Sequence, residues 1–148
     1  MINLAKNRII AFGIAAAAFI IAGYCIVFWP YKTSVTNDIY LIPEGFEGDI
    51  QVNYNVAGAP GLAKEGKYDV IPIRADGTYD TSKPDMEYGI VTDQYFYISR
   101  DGQRTPIDRS CVHVGGNGES STGLTSIKHN YLKITRTKCG DDFRAWGN

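Results

Sequence analysis

Three cysteines and two histidines are the residues of this 148-residue chain best equipped for chemistry. Cys25 lies inside an apolar run, which leaves Cys111 and Cys139 as a pair free to react with one another. They bracket a predicted antiparallel strand pair at its open end, where cross-strand neighbours come close. In an oxidising compartment two such thiols join. Closing a loop of about 29 residues would stabilise the fold by roughly 3–4 kcal/mol on the chain-entropy model. The competing reading is a metal. Cys111, His113, His129 and Cys139 supply the two-cysteine, two-histidine set of a structural zinc site. Cys111 and His113 share a strand face, but the spacing fits no standard finger and oxidation would consume the thiols. No metal ligand is assigned on this basis, and no cofactor is implied.

Nucleophilic catalysis needs a serine or cysteine beside a histidine that a carboxylate orients. Only His113 and His129 are available, and no Gly-x-Ser-x-Gly elbow accompanies them. His129 reads as a turn residue and His113 as a half-exposed strand residue. The carboxylates Glu44, Glu47, Asp76, Asp101, Asp141 and Asp142 are scattered through predicted turns. Gly115-Gly116-Asn117-Gly118 is glycine-rich but lacks the Gly-Lys-Ser/Thr ending of a phosphate loop. No catalytic residue emerges, so the expectation is a binding protein and not an enzyme. Tyr88, Tyr95 and Tyr97 would form an exposed recognition strip, since tyrosine offers contact area at low entropic cost. The plainer reading is that these aromatics cover a small core.

Whatever these residues do depends on where the chain sits. Acidic and basic side chains nearly cancel, for a net charge of −1. No basic field exists to hold nucleic acid. From Ile9 to Trp29 no side chain is ionisable apart from Tyr24 and Cys25. As a helix this run would be roughly 31 Å long, which matches a hydrocarbon core of about 30 Å. Lys6 and Arg8 precede it and Trp29, Tyr31 and Lys32 follow, the pattern of a span whose short N-terminus stays in the cytoplasm. The expected organisation is a cytoplasmic N-terminus at 1–8, a signal-anchor transmembrane helix at 9–29, a linker at 30–37 and an extracytoplasmic domain at 38–148. The lipid bilayer is then the first partner. The expected setting is a cytoplasmic membrane, with the domain on its far side. Three alternatives are cleavage after Ala16-Ala17-Ala18, lipid attachment at Cys25, and a buried soluble helix. Tyr24 before Cys25 is bulkier than a lipidation site prefers.

Beyond Pro30, which ends the helical pattern, periodicity changes to two. Ile39–Ile42 reads as a short strand. Ile50, Val52, Tyr54 and Val56 alternate with polar residues as a half-buried strand. Lys67–Ile73 reads as a third, with Pro72 marking an edge or an end. Gln94–Ser99 is followed by Asp101-Gly102, a hairpin signal of type I′. A two-residue loop there would pair Ile98 with Thr105 and Phe96 with Ile107 and put all four on one face. Cys111–Val114 and Tyr131–Thr137 read as a further pair, joined by a mobile loop from Gly115 to Thr125. The fold class expected is all-β: a small antiparallel sandwich, immunoglobulin-like or transthyretin-like, behind one transmembrane helix.

The segments Tyr40-Leu41-Ile42-Pro43-Glu44-Gly45-Phe46-Glu47-Gly48, Gly58-Ala59-Pro60, Asp76-Gly77-Thr78, Glu87-Tyr88-Gly89 and Asp101-Gly102-Gln103-Arg104-Thr105 resemble an uncharacterised family of bacterial envelope proteins, domain of unknown function 6843. The resemblance spans about residues 38–107 and sets apart the cysteine-bearing stretch beyond Arg109. It implies secreted or lipid-anchored relatives and supplies no catalytic residue. Gly66–Ile73 with Asp76-Gly77 also resembles the strand-and-turn pattern of transthyretin-like and carboxypeptidase-regulatory-like sandwiches, which implies fold alone. The function expected is a tethered domain that binds an envelope or protein partner. An immunity or inhibitor protein for an exported toxin is one alternative, and a cell-envelope hydrolase is another.

Overall fold

In the computed structural model, residues 33–123 and 125–148 are described, and Ser34–Asn148 form one compact unit. The strands are β1 (Val35–Thr36), β2 (Asp38–Pro43), β3 (Gly48–Tyr54), β4 (Ala63–Glu65), β5 (Tyr68–Pro72), β6 (Thr78–Asp80), β7 (Ile90–Val91), β8 (Gln94–Ile98), β9 (Arg104–Pro106), β10 (Val112–Thr122) and β11 (Thr125–Ile134). A 3-10 turn at Arg109–Cys111 and a short C-terminal helix at Asp141–Trp146 complete them. The proposed span at 9–29 lies outside the described residues. Among those that are described, no helix is long and apolar enough to cross a membrane.

Two sheets close on one core. One runs β4-β5-β2-β8-β9 and the other β10-β11-β3-β6. β3 alternates as its sequence demands. Ile50, Val52 and Tyr54 are fully buried, and Asp49, Gln51 and Asn53 face outward. β2 does not alternate, because it is central and covered on both faces. Tyr40 and Ile42 join Ile50, Val52, Tyr54, Ile71 and Leu132 in the main core. Ile39 and Leu41 pack with Val70 under Tyr68, Phe96 and Ile98 on the outer side.

The all-β class holds, but the sheets are mixed and not purely antiparallel. β2 runs parallel to both β5 and β8, and β3 runs parallel to β6. The cause is that the chain crosses between sheets after β2, β3, β5, β6 and β9, so neighbours within a sheet are often not consecutive in sequence.

Three other expectations change. Part of the expected linker is a strand: β1 pairs in parallel with β7. Gly89, just before β7, permits that approach, since a Cβ there would lie 2.0 Å from the Ser34 carbonyl oxygen. Pro72 stands at the end of β5, one of the two positions expected for it, although the strand is an interior one. It is tolerated because β4 has already stopped, at the Ala63–Val70 pair.

The Asp101-Gly102 hairpin is offset by one residue, pairing Ile98 with Arg104 and Phe96 with Pro106. Its loop is a turn closed by Gly102 N–H to Ser99 O at 3.0 Å, with only Gly102 at positive φ (84°). Asp101 therefore does not adopt the conformation a type I′ turn requires. The shift moves Ile107 to the core face, where it is 9% exposed, while Phe96 and Ile98 stay outside.

Finally, the expected loop at Gly115–Thr125 is largely strand. β10 and β11 pair from Val112–Ile134 out to Thr122–Thr125, with one irregularity between Val114 and Asn117.

Candidate functional site

The outward face of the β10-β11-β3-β6 sheet carries an ordered row of polar side chains. It follows from strand alternation. Residues 51 and 53 of β3, 129 and 131 of β11, 118 and 120 of β10, and 78 and 80 of β6 all point away from the core. Register then brings four of them into sequence: His129 pairs with Asn53 on one side and with Gly118 on the other, and Asn53 pairs with Asp80.

The hydrogen bonds in this row have a direction. Asp80, held below the ordinary carboxylate range by the Asn53 amide and then by Arg74, can only accept. Asn53 Nδ2 donates to its Oδ1 at 2.6 Å, and Arg74 Nη2 to Oδ2 at 2.8 Å. That fixes the Asn53 amide, whose Oδ1 accepts from Gln51 Nε2 at 2.7 Å and from His129 Nδ1 at 2.8 Å. With the proton on Nδ1, the His129 ring presents Nε2 as an acceptor, 2.8 Å from the Ser120 hydroxyl. The result is a relay from Ser120 through His129 and Asn53 to the Asp80–Arg74 pair.

Chemically the relay polarises the Ser120 hydroxyl and locks the imidazole. An oriented histidine beside a serine is one part of acyl-transfer chemistry. That chemistry also needs paired donors for an oxyanion and a dry pocket, whereas Ser120 is exposed on a sheet surface. The arrangement is better suited to presenting fixed donors and acceptors to a ligand.

Beside the relay the surface turns aromatic. The Tyr131 ring lies 6.1 Å from His129 and rests over Gly118, where a Cβ would come within 3.2 Å of it. Trp146, at the end of the C-terminal helix, is 74% exposed, and Tyr131 is 38% exposed. A cleft of about 260 Å³ runs between them, bordered by Asp49, His113 and Lys133. The helix is held by buried Phe143, by Gly147 N–H to Phe143 O at 2.8 Å, and by His113 Nδ1 beside Arg144 O at 3.0 Å. Lys133 Nζ donates to Gly147 O at 2.9 Å.

The residues singled out by sequence are distributed differently. Cys111 and Cys139 are joined, with Cα atoms 4.2 Å apart, at the base of the β10–β11 hairpin. With the thiols in that bond, the four-residue zinc set is not assembled. His113 pairs with Lys133 and His129 with Gly118, some way along the hairpin. Among the described residues no group of three or more His, Cys, Asp or Glu is placed to hold a metal ion.

The tyrosine strip does not exist as one surface. Tyr95 is 3% exposed and stacks on Tyr40 in the core. Tyr97 is half-buried, with its hydroxyl donating to Phe46 O at 3.1 Å. Tyr88 alone is well exposed, and it bonds to Asp85. Alternation put Tyr95 and Tyr97 on the same face, and that face is the inner one. Sequence reading missed Ser120, Asn53, Tyr131 and Trp146. The signal for Asn53 was its outward phase in β3, but its partners come from strands whose register was not legible.

Residues 34–143 match a family described only as one of unknown function, DUF6843. That span includes the stretch beyond Arg109 that the sequence resemblance had set apart. No curated protein matches the chain. Among solved structures, the crystal structure of a Bacillus anthracis protein designated "putative lipoprotein" shares 43% identity at a TM-score of 0.75. The alignment covers 77% of this chain and 80% of that one.

Proposed function

Because this chain belongs to the DUF6843 family of unknown function, we propose that it is a tethered extracytoplasmic β-domain that binds envelope material without catalysing a reaction. The observation that supports this reading is the pairing of exposed Trp146 and Tyr131 with the polar row on the outer sheet face. Aromatic faces pack against the C–H faces of sugar rings. Fixed amides, hydroxyls and an imidazole meet ring hydroxyls in both senses. The ligand class favoured is therefore an envelope glycan. A protein partner, including an exported toxin, would use the same aromatic residues as anchors.

Trp146 and Trp29 are the chain's two tryptophans, so a Trp29→Phe chain reports on the face directly. Titration with solubilised wall polysaccharide is expected to change Trp146 fluorescence saturably. Tyr131→Ala is expected to weaken binding roughly tenfold or more. Unchanged affinity in Tyr131→Ala, or a flat titration, sinks the glycan reading.

Tethering at residues 9–29 rests on the length of that apolar run and the cations before it. The Bacillus anthracis relative's designation favours a second route, lipid attachment at Cys25. The two routes separate cleanly. Intact-mass measurement of the membrane-extracted chain is expected to show residues 1–24 retained for the spanning helix, and a chain cut before Cys25 and heavier by its lipid for the other route.

A further inference from the structure

On the opposite, core side of the same sheet, a cavity of about 140 Å³ opens near the edge between the two sheets. Asp38, Asp93, Glu87 and Asn130 contribute its polar lining, and Met86 and Val114 part of its apolar wall. Asp38 is only 3% exposed and Asp93 7%. The Asp38 backbone N–H donates to Asp93 Oδ1 at 3.0 Å, which keeps the two carboxyls close.

The nearest cations are engaged elsewhere. Lys83 Nζ lies 2.8 Å from Asp69 Oδ2 and 3.8 Å from Glu87 Oε1, and Arg109 Nη2 donates to Val91 O at 2.9 Å. Among the described residues Asp38 Oδ1 has no hydrogen-bond partner, and neither do the buried hydroxyls of Tyr54 and Tyr95. Burial, and then the Asp93 charge, push the Asp38 carboxyl up to about 7. Burial also raises Asp93.

A buried carboxylate facing a cavity without a counter-charge is arranged for a cation. Which cation follows from the donor set. A metal ion would need more ligands than this pair, and no three-residue group is placed for one among the described residues. A primary ammonium needs one compensating charge and a few acceptors. The apolar wall suits an alkyl stem leading to it.

We propose that this pocket binds a primary alkylammonium group, with its head hydrogen-bonded to Asp38, Asp93 supplying further negative charge, and its stem along Met86 and Val114. The site faces the core side of the sheet and does not depend on the glycan reading of the outer face.

The test uses the full chain in detergent above pH of about 7, with n-butylammonium as the probe and n-butyltrimethylammonium at equal ionic strength as the control. Saturable binding of the primary amine is expected by calorimetry, and none of the quaternary one, which has no N–H donor. Asp38→Asn is expected to weaken binding roughly thirtyfold or more with the circular dichroism spectrum unchanged. Affinity is expected to fall as pH drops below about 7, because a proton on Asp38 then competes with the amine. Asp93, Glu87, Lys83, Asp69 and Arg109 are the other charges that set the pH at which this happens. Equal binding of both amines, full affinity in Asp38→Asn, or tighter binding of calcium than of the amine would each overturn the proposal. Loss of glycan binding at the outer face would leave these outcomes unchanged.

Discussion

Asp38→Asn is expected to make the protein more stable at pH 8, by about 2–4 kcal/mol, and to change little at pH 4. The sign follows from linkage. The Asp38 carboxyl titrates near its ordinary value of 3.8 when unfolded and at about 7 when folded. Between those values the folded protein holds a proton that the unfolded chain has released. Stability contributed by this group is therefore present at low pH and is lost as pH rises from about 4 to about 7. Each pH unit in that window is worth about 1.4 kcal/mol, so the loss over the shift from 3.8 to about 7 is about 4–5 kcal/mol. Asparagine has the same shape and never ionises, so it escapes that loss, less the cost of fitting one amide N–H₂. Urea unfolding across this pH range provides the measurement. A variant that is less stable than the natural chain at pH 8 would mean that the charged form of Asp38 has a stabilising partner. A residue that opposes stability is a mark of function more than of folding.

Reduction of the Cys111–Cys139 bond, or Cys139→Ser, is expected to lower stability by about 3–4 kcal/mol. The melting temperature should fall by roughly 10–20 °C for a domain of this size. The bond spans 28 positions of sequence and ties the 3-10 turn before β10 to the segment after β11. Gly140 N–H, next to it, donates to Ser110 O at 3.0 Å and leads directly into the helix that carries Trp146. The loss should therefore show first at the outer face, as a change in Trp146 fluorescence at temperatures where the far-ultraviolet spectrum is still native. Reductant should have no effect on a Cys111→Ser/Cys139→Ser chain. An unaltered melting temperature after complete reduction would mean that the hairpin needs no cross-link.

How far the sequence revealed this depends on range. The inward phase of Ile50, Val52 and Tyr54 was legible because alternation is local, and so was the proximity of Cys111 and Cys139 at a hairpin base. The pairing of Ile98 with Arg104 was not, because one glycine's φ decides between a two-residue loop and a longer one. The strand character of 115–122 was hidden by glycine, serine and asparagine, which propensity assigns to loops. Its partner β11 overrides them. The Ser120–His129–Asn53–Asp80 row draws on four strands and needs every register correct at once, and the Asp38 pocket needs the crossovers between sheets. Neither leaves a mark in the order of residues.

β10 is eleven residues long, and it lies at the margin of its sheet with one side open. Such a margin invites another chain to zip alongside and seed fibres. The irregularity at Gly115 and Gly116 breaks the even spacing of amides that lateral stacking requires, and Glu119 adds a charge to the far half. Neighbouring copies of the domain therefore meet an interrupted margin and not a continuous ladder of free amides.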